Sequence, residues 1–316
     1  MNRIVALAAA LLLPLAAAAA SPEGKKVLFV NSYHQGYPWS DGEEAGARQA
    51  LAGSGVKLDF YRMDTKQHGD EKWLKDQIQK VKAYVDEHKP DVVIVSDDNA
   101  TKAMVQHFKN VSLPWVFCGV NWDASVYGLP FKNATGMNEV ALTTQLIDSL
   151  KSYAKGSRVA FLTVDSETER TEGRYYKNQL KLTFVAEKYV KTFADWKESF
   201  KKMQGEVDVL LLGNFAGIND WNEAAAAAFA AENTKIPSGG MYDFMMPYAM
   251  LGMTKIAEEQ GIWAGKTALA ILKGASPSSI PVAANKEAKL YLNVKLASKA
   301  GVVFKPDLVK KAEILK

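Results

Sequence analysis

Short apolar runs alternate along this chain with stretches whose apolar residues recur every three or four positions. Lys26–Val30 and Lys57–Tyr61 read as strands, with a helix expected over residues 41–51 between them. Over residues 71–88, Trp73, Leu74, Ile78, Val81 and Val85 share one helical face, and Pro90 stops the pattern. A strand at Asp91–Val95, a helix over 100–108 and a strand at Trp115–Cys118 follow. This alternation predicts a parallel sheet with helices on both faces.

The pattern then restarts. Helices are expected over 142–153, 173–182, 196–203 and 220–231. Strands are expected at Arg158–Val164, Tyr189–Phe193 and Val207–Leu212, with another beginning at Ile236. Two βα sets of similar size therefore lie in series, with no sequence repeat between them. The turn-forming residues Asn133, Ala134, Thr135 and Gly136 mark the expected boundary. In the tail, a helix over 258–273 is closed by Gly274, and Pro277 and Pro281 mark a connector. A strand at Lys289–Val294 and a short helix ending at Gly301 complete it.

The first residues set the compartment. Arg3 precedes an apolar run from Ile4 to Ala20 that ends in small residues before Ser21, the pattern of a cleaved secretory signal. Export to the periplasm is the expectation, with residues 1–20 removed. The later apolar run Ala224–Ala231 is too short to span a bilayer. Without Arg3 the chain carries 38 basic and 35 acidic residues, an excess of three that gives no case for a nucleic-acid partner. Cys118 stands alone, so no disulfide within the chain is possible, and its apolar neighbours predict a buried small side chain. His34, His68, His88 and His107 have no metal-ligand spacing, and no metal or cofactor is expected. The chain lacks a G-x-S-x-G elbow, a phosphate loop and a G-x-G-x-x-G fingerprint, which argues against a hydrolase or a dinucleotide enzyme.

In open parallel sheets ligands sit beyond the carboxyl ends of the strands. The polar and aromatic residues of this chain concentrate there. Ser32, Tyr33, His34, Tyr37 and Trp39 follow the first strand, and Asp97 and Asp98 the third. Asn121 and Trp122 follow the fourth. In the second set Asp165 and Arg170, then Asn214, then Tyr242 and Asp243 hold the equivalent places. Tyr33, Tyr37, Trp39 and Trp122 offer flat faces to a ring, the aspartates suit amines or hydroxyls, and Arg170 suits a carboxylate. Each also has a plainer reading. Ser40 or Asp41, and Asp98 or Asn99, would cap the helices they precede, and Glu167 and Glu169 would answer a helix dipole.

Four blocks resemble the ABC-transporter substrate-binding family whose characterised members include tryptophan and tyrosine binders. They are VLFVNSYHQGYPWSD at 27–41, PDVVIVSDDNA at 90–100, NATGMNE at 133–139, and AGKTALAILKGASPSSIP at 264–281 followed by LYLNVKLASKA at 290–300. The last is the most specific. The first is closer to a subgroup that also occurs as periplasmic sensor domains, and it departs from the amino-acid binders. The resemblance adds Glu139 to the candidate ligand residues. It implies a type I periplasmic-binding fold: two Rossmann-like lobes, three crossovers and a cleft between them. Lobe one would hold 24–137 and about 248–280, lobe two 138–247 and about 281–316. It also implies a monomer, not an enzyme, that closes on a small molecule and hands it to an ABC permease. A sensor that reports occupancy to a membrane signalling protein is the alternative, and a hydrolase a weaker one.

Overall fold

A computed structural model describes residues 21–315 apart from Gly69, Asn110 and Ala216, so the expected signal segment lies outside the described residues. The chain builds two sheets. The first is assembled from β1 (Lys26–Asn31), β2 (Lys57–Arg62), β3 (Val92–Ser96), β4 (Trp115–Asn121) and β5 (Ala134–Glu139). Helices α1 (Pro38–Leu51), α2 (Glu71–His88) and α3 (Asp97–Phe108) connect them. The second uses β6 (Val159–Val164), β7 (Ala186–Val190), β8 (Val209–Leu212), β9 (Ser238–Gly240) and β10 (Leu251–Lys255). Helices α4 (Thr143–Lys151), α5 (Glu167–Asn178), α6 (Phe193–Glu206) and α7 (Glu223–Asn233) accompany it. The tail then runs through α8 (Ala257–Leu272), β11 (Ala283–Ala284), β12 (Ala288–Asn293), α9 (Val294–Lys299), α10 (Pro306–Val309) and β13 (Ala312–Leu315).

Strand order is β2-β1-β3-β4-β5-β11 in the first sheet and β7-β6-β8-β9-β10-β12-β13 in the second. Both begin with the doubly wound 2-1-3-4-5 arrangement, whose switch point lies between the first and third strands. The first sheet is parallel throughout, and the second contains one antiparallel pair, β10 with β12. The chain therefore crosses between sheets three times: after β5, after β10 and between β11 and β12. The two-lobed α/β architecture expected from the alternation is present.

Several local expectations differ. The segment 133–136, expected as a boundary turn, contributes to β5, which pairs with β4 along its length. Gly136 is there for packing, since a Cβ would lie 2.2 Å from the Phe117 ring. Leu251–Lys255 falls in the stretch expected to return to lobe one, yet it hydrogen-bonds as β10 in the second sheet. Ala283–Ala284, expected with lobe two, pairs with β5 in the first sheet. Helix α5 starts at Glu167 rather than 173, with Ser166 as its cap, and Phe193 opens α6 rather than ending β7. Among the described residues no helix is long and apolar enough to cross a membrane.

Apolar side chains from β1, β3 and β4 fill both faces of the first sheet, and one large cluster fills the second lobe. Cys118 is fully buried on β4, as its neighbours predict, and burial pushes its thiol well up. Helix α8 returns to the first lobe and lies against α1 through glycines. A Cβ on Gly46 would sit 2.2 Å from the Glu258 carbonyl oxygen, and one on Gly261 1.8 Å from that of Glu43. This contact fixes the α1 residues that face the cleft.

Candidate functional site

The carboxyl ends of both sheets open onto one cavity of about 600 Å³. The first lobe supplies Tyr33, Tyr37, Trp39, Asp97, Asn121 and Glu139, and the second supplies Tyr242, Asp243 and Lys255. Eight of the fourteen candidate residues line it together. Lys66, Thr254, Lys255, Glu258 and Lys289 also line it and were not singled out from sequence.

Buried polar groups hold the wall that follows β1. Asn31 accepts from the Tyr33 N–H and the Ser40 hydroxyl, both at 2.9 Å, and donates to Glu44 at 3.2 Å. Tyr33 and Tyr37 meet edge to face at 5.4 Å. The Lys66 ammonium lies 5.0 Å from both ring centres, and that of Lys255 lies 5.6 Å from the Trp39 ring. These rings already receive cations on their faces.

The floor is acidic. Asp97 opens α3 with a left-handed backbone, φ 65°, and its side chain is only 2% exposed. A non-glycine residue held there carries strain of roughly 1–3 kcal/mol, which marks a position over-determined by its surroundings. Behind it Glu43, on α1, is fully buried. The two carboxyls surround Gly119, whose own φ is 64°. A Cβ on Gly119 would sit 2.4 Å from Glu43 Oε1 and 3.0 Å from Asp97 Oδ1. Gln260, on α8, accepts from the Gly119 N–H at 3.0 Å and fixes this loop. Burial, then the charges of Asp97 and Glu139, hold the Glu43 carboxyl well above its usual range. Burial, then Glu139 and Asp98, does the same for Asp97, which the neighbouring Trp39 indole and Glu43 partly offset. Glu139, at the end of β5, is paired with Lys255.

Six candidates lie off the cavity. Ser32 is buried, donates to the Ser96 carbonyl at 2.6 Å and accepts from the Ala100 N–H at 2.8 Å, so it ties β1 to the start of α3. His34 lies 3.3 Å from the Asp64 carboxylate. Asp98 accepts from Asn121 at 2.8 Å and from the Tyr127 hydroxyl at 2.7 Å. Asp165 and Arg170 pair with each other at 2.6 Å, and the guanidinium stacks 4.5 Å over Tyr189. Asn214 follows β8, where its N–H donates to the buried Glu169 carboxylate at 3.3 Å. Burial raises the Glu169 carboxyl.

The expected caps are absent. Helix α1 starts at Pro38, three residues before Asp41, which instead accepts from the Gly36 N–H at 3.0 Å. Asp98 and Asn99 bond to Asn121 and Thr65 rather than to the end of α3. Trp122 joins the lobes: its ring stacks on Tyr175 of α5 at 4.7 Å and 7°, and its indole N–H donates to Glu172 at 3.3 Å. The face expected for a ligand ring is thereby covered.

A family model described as ABC transporter substrate binding protein matches residues 38–316. A ligand-free, open substrate-binding protein with adhesive properties from Clostridium difficile superposes with TM-score 0.70 at 19% identity. It covers 92% of this chain and 99% of its own. An ABC domain from Streptococcus pneumonia in complex with L-Trp gives TM-score 0.54 at 18% identity, over the same 92% and 99%. A periplasmic ribose ABC transporter from Conexibacter woesei gives 0.53 at 17% identity, over 90% and 97%. No curated protein matches the chain.

Proposed function

The chain belongs to the ABC transporter substrate-binding protein family, and we propose that it captures a small organic molecule in the interlobe cavity for delivery to a membrane permease. One observation carries this reading. A single cavity takes its walls from both lobes: Tyr33, Trp39 and Asp97 on one side, Tyr242 and Asp243 on the other. A ligand there gains contacts from both lobes only when they approach, so binding shifts the population toward a closed form. The three crossings after β5, after β10 and between β11 and β12 are the segments that would bend. A permease then reads the closed form. The work is done in the periplasm by a monomer freed of residues 1–20, without metal or cofactor and without catalysis.

The 27–41 block supports a second reading, in which occupancy is reported to a membrane sensor instead. Capture comes first in both.

The test is a thermal-shift screen of the purified chain, refolded to strip carried-over ligand, against amino acids, amines, purines, sugars and small carboxylates. A compound that binds only the native state stabilises it by RT ln(1 + [L]/Kd), about 2.7 kcal/mol at a hundredfold excess over Kd, and so raises Tm. A dose-dependent rise from one class supports capture, and no rise from any class contradicts it. Reconstitution with candidate permeases or sensor domains separates the two readings.

A further inference from the structure

We propose that the Glu43–Asp97 carboxyl pair is a proton-exchange site for a cationic ligand. The empty cleft holds one proton shared between the two side chains, and a ligand ammonium displaces it. The idea rests on the capture reading and adds the ligand's charge and its coupling to pH.

Geometry is the first support. Both carboxyls are nine-tenths or more buried, and Asp97 faces the cavity. Neither Glu43 oxygen, nor Oδ2 of Asp97, has a partner in good hydrogen-bond geometry, and the Ser96 hydroxyl beside Glu43 and the Trp39 indole beside Asp97 only partly offset their burial. Two ionised carboxylates only repel each other, and a proton on one turns their contact into a hydrogen bond. Among the described residues no cation forms a salt bridge with either carboxyl, and the cavity lysines Lys66 and Lys255 lie over the Tyr33, Tyr37 and Trp39 rings. Facing the pair are Tyr33 after β1, Asp98 on α3, Cys118 on β4 and Glu139 on β5. Glu258 of α8 lies against Gly42, one residue from Glu43. Lys255 of β10 is committed to Glu139, and Glu44 of α1 to Arg62. Burial sets both carboxyls above their ordinary range, which agrees with a held proton.

The walls are the second, independent support. Tyr33, Tyr37 and Trp39 carry lysine ammoniums over their rings. A ligand ammonium finds the same aromatic faces with Asp97 beneath them. The exchange balances simply. The shared carboxyl O–H bond breaks, the proton passes to water, and an ammonium N–H donates to the freed carboxylate. Net charge in the cleft is unchanged, and the hydration lost by the ammonium is offset by its pairing with the freed carboxylate.

The test uses the ligand-free full chain and then tryptamine, tyramine and agmatine as probes. Infrared spectra at pH 7 should show the C=O stretch of a protonated carboxylic acid, weakened in the double variant Glu43→Gln/Asp97→Asn and unchanged in Glu139→Gln. Calorimetry in two buffers of different ionisation heat should show one of the amines binding with net proton release. Its affinity should rise by up to about tenfold per pH unit while a full proton is released. Glu43→Gln should flatten that slope. Where a variant does not fold, the wild-type band and slope decide. No acid band at pH 7 overturns the proposal whatever the screen finds. Binding of neutral sugars alone, with no proton release, overturns it and leaves capture standing. No amine binding also overturns it.

Discussion

Replacing Gly261 with alanine sets two effects of opposite sign against each other. Gly261 lies inside α8, where alanine is favoured over glycine by about 1 kcal/mol through backbone entropy. Propensity alone therefore predicts a more stable protein. The structure predicts the reverse. The new Cβ would sit 1.8 Å from the Glu43 carbonyl oxygen and 2.8 Å from the Ala47 nitrogen, whereas ordinary contact begins near 3.4 Å. Both are backbone atoms of α1 and cannot rotate away, so α8 must shift or bend. Overpacking of this kind costs roughly 1–3 kcal/mol and occasionally more. At the upper end the net loss is about 2 kcal/mol, which with an unfolding entropy of roughly 2.1 cal/mol/K per residue lowers Tm by about 3 °C for a chain of this size. Gly205 is the control: it lies near the end of α6 with nothing within 4 Å of its Cβ position, and Gly205→Ala should hold or raise Tm slightly. Calorimetric melts of the three proteins decide it. A Gly261→Ala chain as stable as Gly205→Ala would refute the account of how α8 seats α1 and Glu43.

Three further outcomes follow from the same contacts. Glu43 titrates above its unfolded value, so its contribution is favourable at low pH and is lost as pH rises through the native pKa. Glu43→Gln should therefore unfold at higher urea than wild type at pH 8, with the gap closing toward pH 4; a gap that widens on acidification would reverse the sign. Lys255→Met leaves Glu139, only 8% exposed, without its cation, at a cost of roughly 1–3 kcal/mol after allowing for the partly exposed lysine. Adding Glu139→Gln should restore most of the lost urea midpoint, and no recovery would count against the pair. Trp122→Ala removes the stack on Tyr175 and should lower Tm by several degrees and broaden the interlobe distances seen in solution scattering, whereas an unchanged scattering curve would show that Trp122 does not link the lobes.

The alternation of runs and helical periods was enough to read two parallel α/β sets, because buried strands such as β8 are apolar throughout and β3 is apolar up to its last residue, Ser96. Two strands with glycine inside them, β5 and β10, were not legible. Asn133–Gly136 has the composition of a turn, yet Gly136 serves close contact with Phe117. Leu251–Lys255 has Gly252 at its second position, where a Cβ would strike Met246 Sδ at 2.2 Å. Strand ends located the lobe-one wall, since Tyr33, Trp39 and Asp97 directly follow β1 and β3. The same rule over-reached in lobe two, where Asp165 and Arg170 satisfy each other. Glu43 and Lys255 had no local signal. Glu43 reads as one more charge on an amphipathic helix, and only the return of α8 buries it.

Native mass spectrometry of the refolded chain, incubated with the compounds of the thermal-shift screen, tests capture in the interlobe cavity most directly. Asp97→Asn and Tyr242→Ala, one from each lobe, run beside the wild type. One molecule should bind per chain in the wild type and be lost in both variants. A bound molecule retained by both variants, or none bound to the wild type, would contradict capture there.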